Sequence, residues 1–232
     1  MSNVIQPSNK YRYKLLTLLS LFYVTVLLMT LVVENRLILM GDLHILSGTL
    51  VLPLSYSISD IITEVYGYKQ MRRLIWMGLL VLYFSALVVY ILLHLPTDPK
   101  NIRDPAYTLV LDIFPTNILT YSVAALVSIF LNSFILSKLK IVTKGRVFWL
   151  RSLGSTILGE GIFILVWAIL GFRHAFPLHE LLQIMLISYL VKIIYNLVAI
   201  IPTAFLTSII KAYEGVDVYD YGVAFNPFSL KE

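Results

Sequence analysis

The chain has 232 residues, of which 59% are hydrophobic and 13% charged, with a net charge of +5 and a mean hydropathy of +0.85. A soluble domain carries roughly a quarter charged residues, so about half the expected charge is missing and a water-soluble globule is excluded. There is no cysteine, which excludes disulfides and thiolate metal sites.

Backbone in lipid must satisfy its hydrogen bonds internally, and about 20 apolar residues cross the hydrocarbon. Each long apolar block therefore predicts a helix. The first, over about 14–34, carries no charge from Leu15 to Val33. It is too long for the apolar core of a cleaved signal, and no small-residue cleavage site follows it before Glu34-Asn35-Arg36. A retained signal anchor is expected. The second block, about 43–65, is charge-free from Leu43 to Ser59 and then meets Asp60 and Glu64. Pro53 lies one to two turns before Asp60 and is expected to kink or break this helix, freeing carbonyls.

A third block covers about 73–95. The polar stretch Pro96–Pro105 follows, and its tail, Ala106–Phe114, predicts a short interfacial helix with Tyr107 at headgroup level. Further blocks lie at about 115–137, 150–171 (broken by Glu160) and 181–210 (broken by Lys192), before an acidic tail with Glu214, Asp217 and Asp220. The expected fold is an all-α, six-helix membrane bundle forming one domain over 1–232. Thirteen Lys and Arg, among them Lys14, Lys69, Arg72, Lys140, Arg151, Lys211 and Lys231, fall at one set of helix ends. Four, Arg36, Lys100, Arg103 and Arg173, fall at the other. This bias predicts that both termini are cytoplasmic. Basic residues that anchor helix ends form no continuous face, so nucleic acid is not an expected partner.

Ionisable residues inside spans are costly and mark places where lipid is not the neighbour. Asp60 and Glu64 share a helix face with Tyr56 and Thr63. A broken helix bearing carboxylates resembles a midplane substrate site; alternatively, Glu64 pairs with Lys69, Arg72 or Arg73 at the helix end. Glu160 shares a stripe with Ser152, Thr156, Phe163 and Trp167, and Lys192 one with Tyr189, Asn196 and Thr203. Their opposite charges at similar depth predict either a structural ion pair or a polar cavity wall that touches substrate. Ser155, Gly159 and Gly161 would let a neighbouring helix approach closely. Asn132 and Asn196 read as interhelical hydrogen bonds before ligands. His44, His94, His174 and His179 have no metal-ligand spacing, so no metal is expected. The absence of a phosphate-binding glycine loop excludes an ATPase on this chain.

The run Pro53-Leu-Ser-Tyr56-Ser-Ile-Ser-Asp60-Ile-Ile-Thr-Glu64-Val-Tyr66-Gly67-Tyr68, continuing through Arg72-Arg73 to Trp76, resembles the signature of the queuosine-precursor transporter family, also filed with vitamin uptake transporters. The resemblance extends over essentially the whole chain, including the ending Glu214-Gly-Val-Asp217-Val-Tyr219-Asp220. It implies import of 7-deazaguanine precursors of a modified tRNA base across the cell inner membrane, with no enzymatic activity. Asn132 stands where the family commonly has aspartate, and Glu160 and Phe163 where it often has glutamine and aspartate. These departures leave open which base, 7-cyano- or 7-aminomethyl-7-deazaguanine or queuine, is preferred.

A guanine-like edge offers two adjacent donors that one carboxylate accepts together, and aromatic faces such as Tyr56, Tyr66, Trp76 or Trp167 could stack on the ring. The candidate substrate-binding residues are thus Asp60, Glu64, Glu160, Lys192, Tyr56, Trp76 and Asn196, with Asp60 the first choice as acceptor. No cofactor is expected; the partners are a small purine-like molecule and membrane lipid. The main expectation is secondary transport, and the alternative is the substrate-binding subunit of an energy-coupling-factor importer. An intramembrane hydrolase on Asp60 and Glu64 would lack a nucleophile or metal beside them. Coupling ion and assembly of several copies stay open.

Overall fold

A computed structural model of the chain describes residues 13–34, 36–40, 43–98, 100–173 and 177–229. Among these, the apolar blocks form the helices α1 (Leu16–Val33), α2 (Gly48–Tyr66), α3 (Tyr68–Leu93), α4 (Asp104–Leu111), α5 (Phe114–Val142), α6 (Phe148–Trp167) and α7 (Leu178–Glu214). A π-helical segment, Ala168–Phe172, continues α6. Between α1 and α2, strands β1 (Leu37–Met40) and β2 (Leu43–Leu46) pair antiparallel, with Leu37 opposite Leu46. The first residues of the expected second span thus belong to a hairpin, and its helix starts at Gly48. The short helix expected over Ala106–Phe114 is present as α4, two residues earlier, and carries no buried residue.

Five units among the described residues are long and apolar enough to cross a bilayer: α1, α3, α4 with α5, α6 with its π-helical continuation, and α7. They present large apolar side chains outward, including Leu80, Val198, Ile201 and Phe205, as a lipid-facing surface requires. Helix α2 is different. Its apolar residues are diluted by serines, threonines, Asp60 and Glu64, and fourteen of its nineteen residues are buried. It packs against α1, α3, α5 and α7, while α5 and α6 form the tightest helix pair. Buried apolar residues from Tyr23 in α1 to Ile210 in α7 join one cluster around it.

Of the kink or break expected at Pro53, a break is absent: α2 runs continuously from Gly48 to Tyr66 with Pro53 inside it. Pro53 is the sixth residue of α2, so the N–H it lacks is the one that would have paired with the Thr49 carbonyl. The chain breaks instead at Gly67, which separates α2 from α3 with φ 86° and ψ 163°, a conformation almost reserved for glycine.

One end of the bundle gathers the start of α1 and the ends of α2 and α7. Glu214 accepts the Lys14 N–H at 3.0 Å, the Leu15 N–H at 2.6 Å and the Tyr66 hydroxyl at 2.8 Å, satisfying donors that α1 leaves unpaired at its N-terminus. The segment 215–229 then crosses the same end. Val218 N–H donates to Val65 O at 3.1 Å, and Asp220 accepts the Tyr68 N–H at 2.9 Å and the Ser137 hydroxyl at 2.6 Å. Arg72 donates to Ala224 O and Asn226 O, and the Trp76 indole N–H to Pro227 O at 2.8 Å.

A Cβ on Gly67 would come within 2.8 Å of both Asp220 Oδ1 and Val218 Cγ1. Gly67→Ala is therefore expected to lower stability by about 2 kcal/mol or more, from backbone strain alone of roughly 1–3 kcal/mol, and to loosen the tail. Thermal unfolding in detergent and protease cleavage after residue 215 measure this; an unchanged melting point with an intact tail would contradict it.

Candidate functional site

The four ionisable groups expected inside the bundle, Asp60, Glu64, Glu160 and Lys192, are all buried, and the three carboxylates are held differently. Glu64 sits at the tail end of α2. Arg151 of α6 grips its carboxylate with two hydrogen bonds of 2.8 and 3.1 Å, and Lys211 of α7 adds a third at 2.7 Å. Lys140 of α5 lies 3.8 Å away and donates to the Glu64 carbonyl at 2.5 Å. Asp217 of the tail bridges the two lysines at 2.6 and 2.8 Å. Burial would push the Asp217 carboxyl up, but hydrogen bonds from Lys140 and Lys211 and their charges outweigh it and hold the carboxyl below its ordinary value. The partners expected for Glu64, Lys69, Arg72 and Arg73, are replaced by cations from three other helices.

Asp60, one turn earlier, has no cation on it among the described residues. Its Oδ1 accepts the Asn132 amide at 2.7 Å, and its Oδ2 the hydroxyls of Ser152 and, at 3.3 Å, Thr156. Thr156 also lies 3.4 Å from Asn132 Oδ1. A gap of about 10 Å³ beside Asp60 is lined by Ser57, Ser152, Thr156, Asn196 and Thr203.

Glu160 and Lys192 meet, with Lys192 Nζ 3.0 Å from Glu160 Oε2 and 4.5 Å above the Phe163 ring. The other carboxylate oxygen, Oε1, is buried without a partner. Two tyrosines of the bundle interior, Tyr23 and Tyr121, are not among the residues singled out from sequence. The hydroxyls of Tyr23 and Tyr121 are also buried without partners, and that of Tyr56 has the Ser128 hydroxyl as its neighbour. Tyr56 and Tyr121 both lie within electrostatic reach of Glu160. Tyr121 packs edge-on against Phe163 at 5.5 Å and lines a cavity of about 210 Å³ with Glu34, Asn117, Thr120 and Trp167. The Asn117 side-chain nitrogen is a further buried group without a partner. Buried polar groups in native proteins are nearly always paired, so this set is the strongest ligand signal among the described residues.

Gly159 is what lets the neighbours close in. A Cβ there would lie 3.1 Å from Tyr56 Cε1, 3.1 Å from Asn132 Cβ and 3.2 Å from Ser128 O. Gly161, by contrast, faces Tyr189 at ordinary contact distance. Of the remaining candidates, Asn196 lines the Asp60 gap. Trp76 stacks near Phe130 and Phe228 under the tail, with its N–H taken by Pro227. His174 lies outside the described residues, as do Lys10, Arg12 and Lys231 of the charge bias.

A family model described as "Putative vitamin uptake transporter" matches residues 47–206, from the turn before α2 to the last third of α7. Over 143 residues the chain is 24% identical to a protein of Bacillus subtilis (strain 168) described as "Probable queuosine precursor transporter". The aligned stretch covers 61% of this chain and 62% of that relative, so the chain spans less than two thirds of the relative's length. No solved structure matches.

The Glu160–Lys192 pair carries its own test. Lys192→Met strands a buried carboxylate, and breaking a buried pair costs about 3–5 kcal/mol. The double variant Glu160→Gln, Lys192→Met removes both charges and should be more abundant in the membrane than Lys192→Met alone. Strictly additive losses in a detergent melting assay would contradict the coupling.

Proposed function

The chain belongs to the vitamin uptake transporter family, and we propose that it imports queuosine precursors, 7-deazaguanine bases, across the cell inner membrane by secondary transport. The substrate class is suggested by the Bacillus subtilis relative, a probable queuosine precursor transporter, together with the resemblance of the Pro53–Trp76 run. The observation that carries it on this chain is the buried Glu160 Oε1, left without a partner, with Tyr56 and Tyr121 within its electrostatic reach. It is an acceptor for the N1–H and exocyclic amine of a guanine edge. Lys192 balances the carboxylate charge, Phe163 and Trp167 offer faces for a flat ring, and the hydroxyls of Tyr56 and Tyr121 are donors for its carbonyl.

Asp60 was the first choice from sequence, but donors from Asn132, Ser152 and Thr156 already occupy both of its oxygens. This leads us to assign the substrate's donors to Glu160. Glu64 then holds the bundle end shut, Trp76 anchors the tail, and Asn196 lies at the edge of the Asp60 gap. A neutral heterocycle suits a site whose charges are already balanced within the protein.

In this reading the whole chain is one domain, and α2 is a sixth span shielded from lipid by its neighbours. Both termini are cytoplasmic. The bundle end where Lys14, Arg72, Lys140, Arg151 and Lys211 gather carries the basic excess that marks that side. A reporter fused after Lys231 should read cytoplasmic, and a periplasmic signal would overturn the orientation.

The substrate test is uptake of individual labelled deazaguanines into cells lacking their own precursor synthesis and transporter. Wild-type protein should accumulate at least one of them. Glu160→Gln at matched abundance should lose roughly tenfold or more, because a mispaired buried group costs about 1–3 kcal/mol. Uptake of every base at background level would overturn the reading; full uptake by Glu160→Gln would move recognition away from this carboxylate.

A further inference from the structure

Asp60 and Glu64 lie one turn apart on α2, yet their surroundings differ in kind. Glu64 is held by Arg151 and Lys211, groups that only donate hydrogen bonds. Such partners favour the carboxylate and have nothing to offer a protonated carboxyl. Every side chain on Asp60 is of the opposite sort. Ser152 and Thr156 are hydroxyls, able to donate or accept, and Asn132 is a carboxamide with one group of each kind. When the carboxyl gains a proton, a hydroxyl can rotate and Asn132 can present Oδ1, so the new O–H finds an acceptor. No backbone rearrangement is needed.

Among the described residues, no fixed charge balances Asp60 from the packed elements: α1 carries no charged residue from Leu16 to Val33, and on α3 Arg72 is turned to the carbonyls of Ala224 and Asn226. On α2, Glu64 is engaged by its own cations. On α5, Asn132 is neutral and Lys140 is turned to Asp217 and the Glu64 carbonyl. On α6, Arg151 is bound to Glu64 and Glu160 to Lys192. On α7, Asn196 and Thr203 are neutral, and Lys211 pairs with Glu64 and Asp217. A lone buried carboxylate is expensive, and a proton removes the charge. The gap of about 10 Å³ between Ser57, Asn196 and Thr203 has room for about one water, the natural carrier of a proton to this position.

We propose that Asp60 is the proton-coupling site of the transporter, taking up one proton on one side of the membrane and releasing it on the other, with Asn132, Ser152 and Thr156 reversing their hydrogen bonds between its two states. The proposal rests on the reading of the chain as a secondary transporter of a neutral base. The link to substrate is short. Asn132, which holds Asp60, and Tyr56, which lies within electrostatic reach of Glu160, both occupy the space a Cβ on Gly159 would crowd, and Thr156 lies one turn before Glu160 on α6. A rearrangement of Asn132 on protonation is therefore felt at the tyrosine that borders the substrate site.

The first measurement needs no substrate. Infrared difference spectra of the purified protein in lipid, recorded across a pH series, should contain a protonated-carboxyl band that titrates. Asp60→Asn should lack it, and Ser152→Ala, which keeps the carboxyl but removes one partner, should shift its midpoint. A spectrum with no Asp60-dependent titrating band overturns the proposal. The second measurement uses proteoliposomes and a labelled deazaguanine. Wild-type uptake should rise several-fold under an inward proton gradient, and Asp60→Asn should not respond to that gradient. A full response by Asp60→Asn, or a wild-type response to a sodium gradient and not to pH, overturns it. If no deazaguanine is taken up at all, the substrate reading fails while the infrared titration still decides the role of Asp60.

Discussion

A helix that carries two carboxylates inside a bundle of long apolar helices has to be kept from lipid, and the arrangement of the other helices follows from that constraint on α2. Charge at lipid depth is costly enough that every side of Asp60 and Glu64 has to be protein. Helices α1, α3, α5 and α7 supply the walls, and α6 comes close enough to reach Asp60 only because Gly159 has no side chain to hold it off. The outer helices can then afford to be almost wholly apolar on their exposed faces, which is why they, and not α2, look like ordinary spans. A hydropathy profile reads the wrapper more clearly than the contents.

Within that shell the molecule solves one problem in three ways. Glu64 is locked by cations from three helices, Glu160 shares a single cation and leaves one oxygen open, and Asp60 is held by neutral groups alone. The grading runs along the helix bundle from the tail-covered end inward. In the reading proposed above it separates tasks that a list of buried acids would merge: fastening an end of the bundle, meeting a ligand, and changing charge.

Sequence carried the first layer of this and missed the second. Glu160 and Lys192 were legible as partners because opposite charges stood at similar depth on helical stripes, and Asp60 because the Tyr56–Thr63 face repeats at helical spacing. The hairpin also had its signal, since Gly41-Asp42 separates two short apolar runs in the manner of a two-residue turn; an apolar count absorbed it into a span. Pro53 does not interrupt α2, and where in the helix it falls is fixed by where α2 starts, which the hairpin moves to Gly48. The tail contacts had no signal. Gly67 and Asp220, or Trp76 and Pro227, are about 150 residues apart, and nothing periodic links them. Tyr23 and Tyr121 were hidden among fifteen tyrosines, most of which a membrane protein can place at its interfaces. Only the coordinates separate a tyrosine that meets headgroups from one whose hydroxyl is buried and unanswered.

The Glu64 cluster also sets a schedule. A ribosome makes α2 long before the groups that neutralise it: Lys140 follows Glu64 by 76 residues, Arg151 by 87 and Lys211 by 147. During that interval the helix has neither its walls nor its counter-charges. The nascent chain therefore has to keep α2 in the insertion machinery, or with its carboxyl groups protonated, until α5, α6 and α7 arrive. Assembly of this bundle is a matter of waiting, and the second helix to be made is among the last to settle.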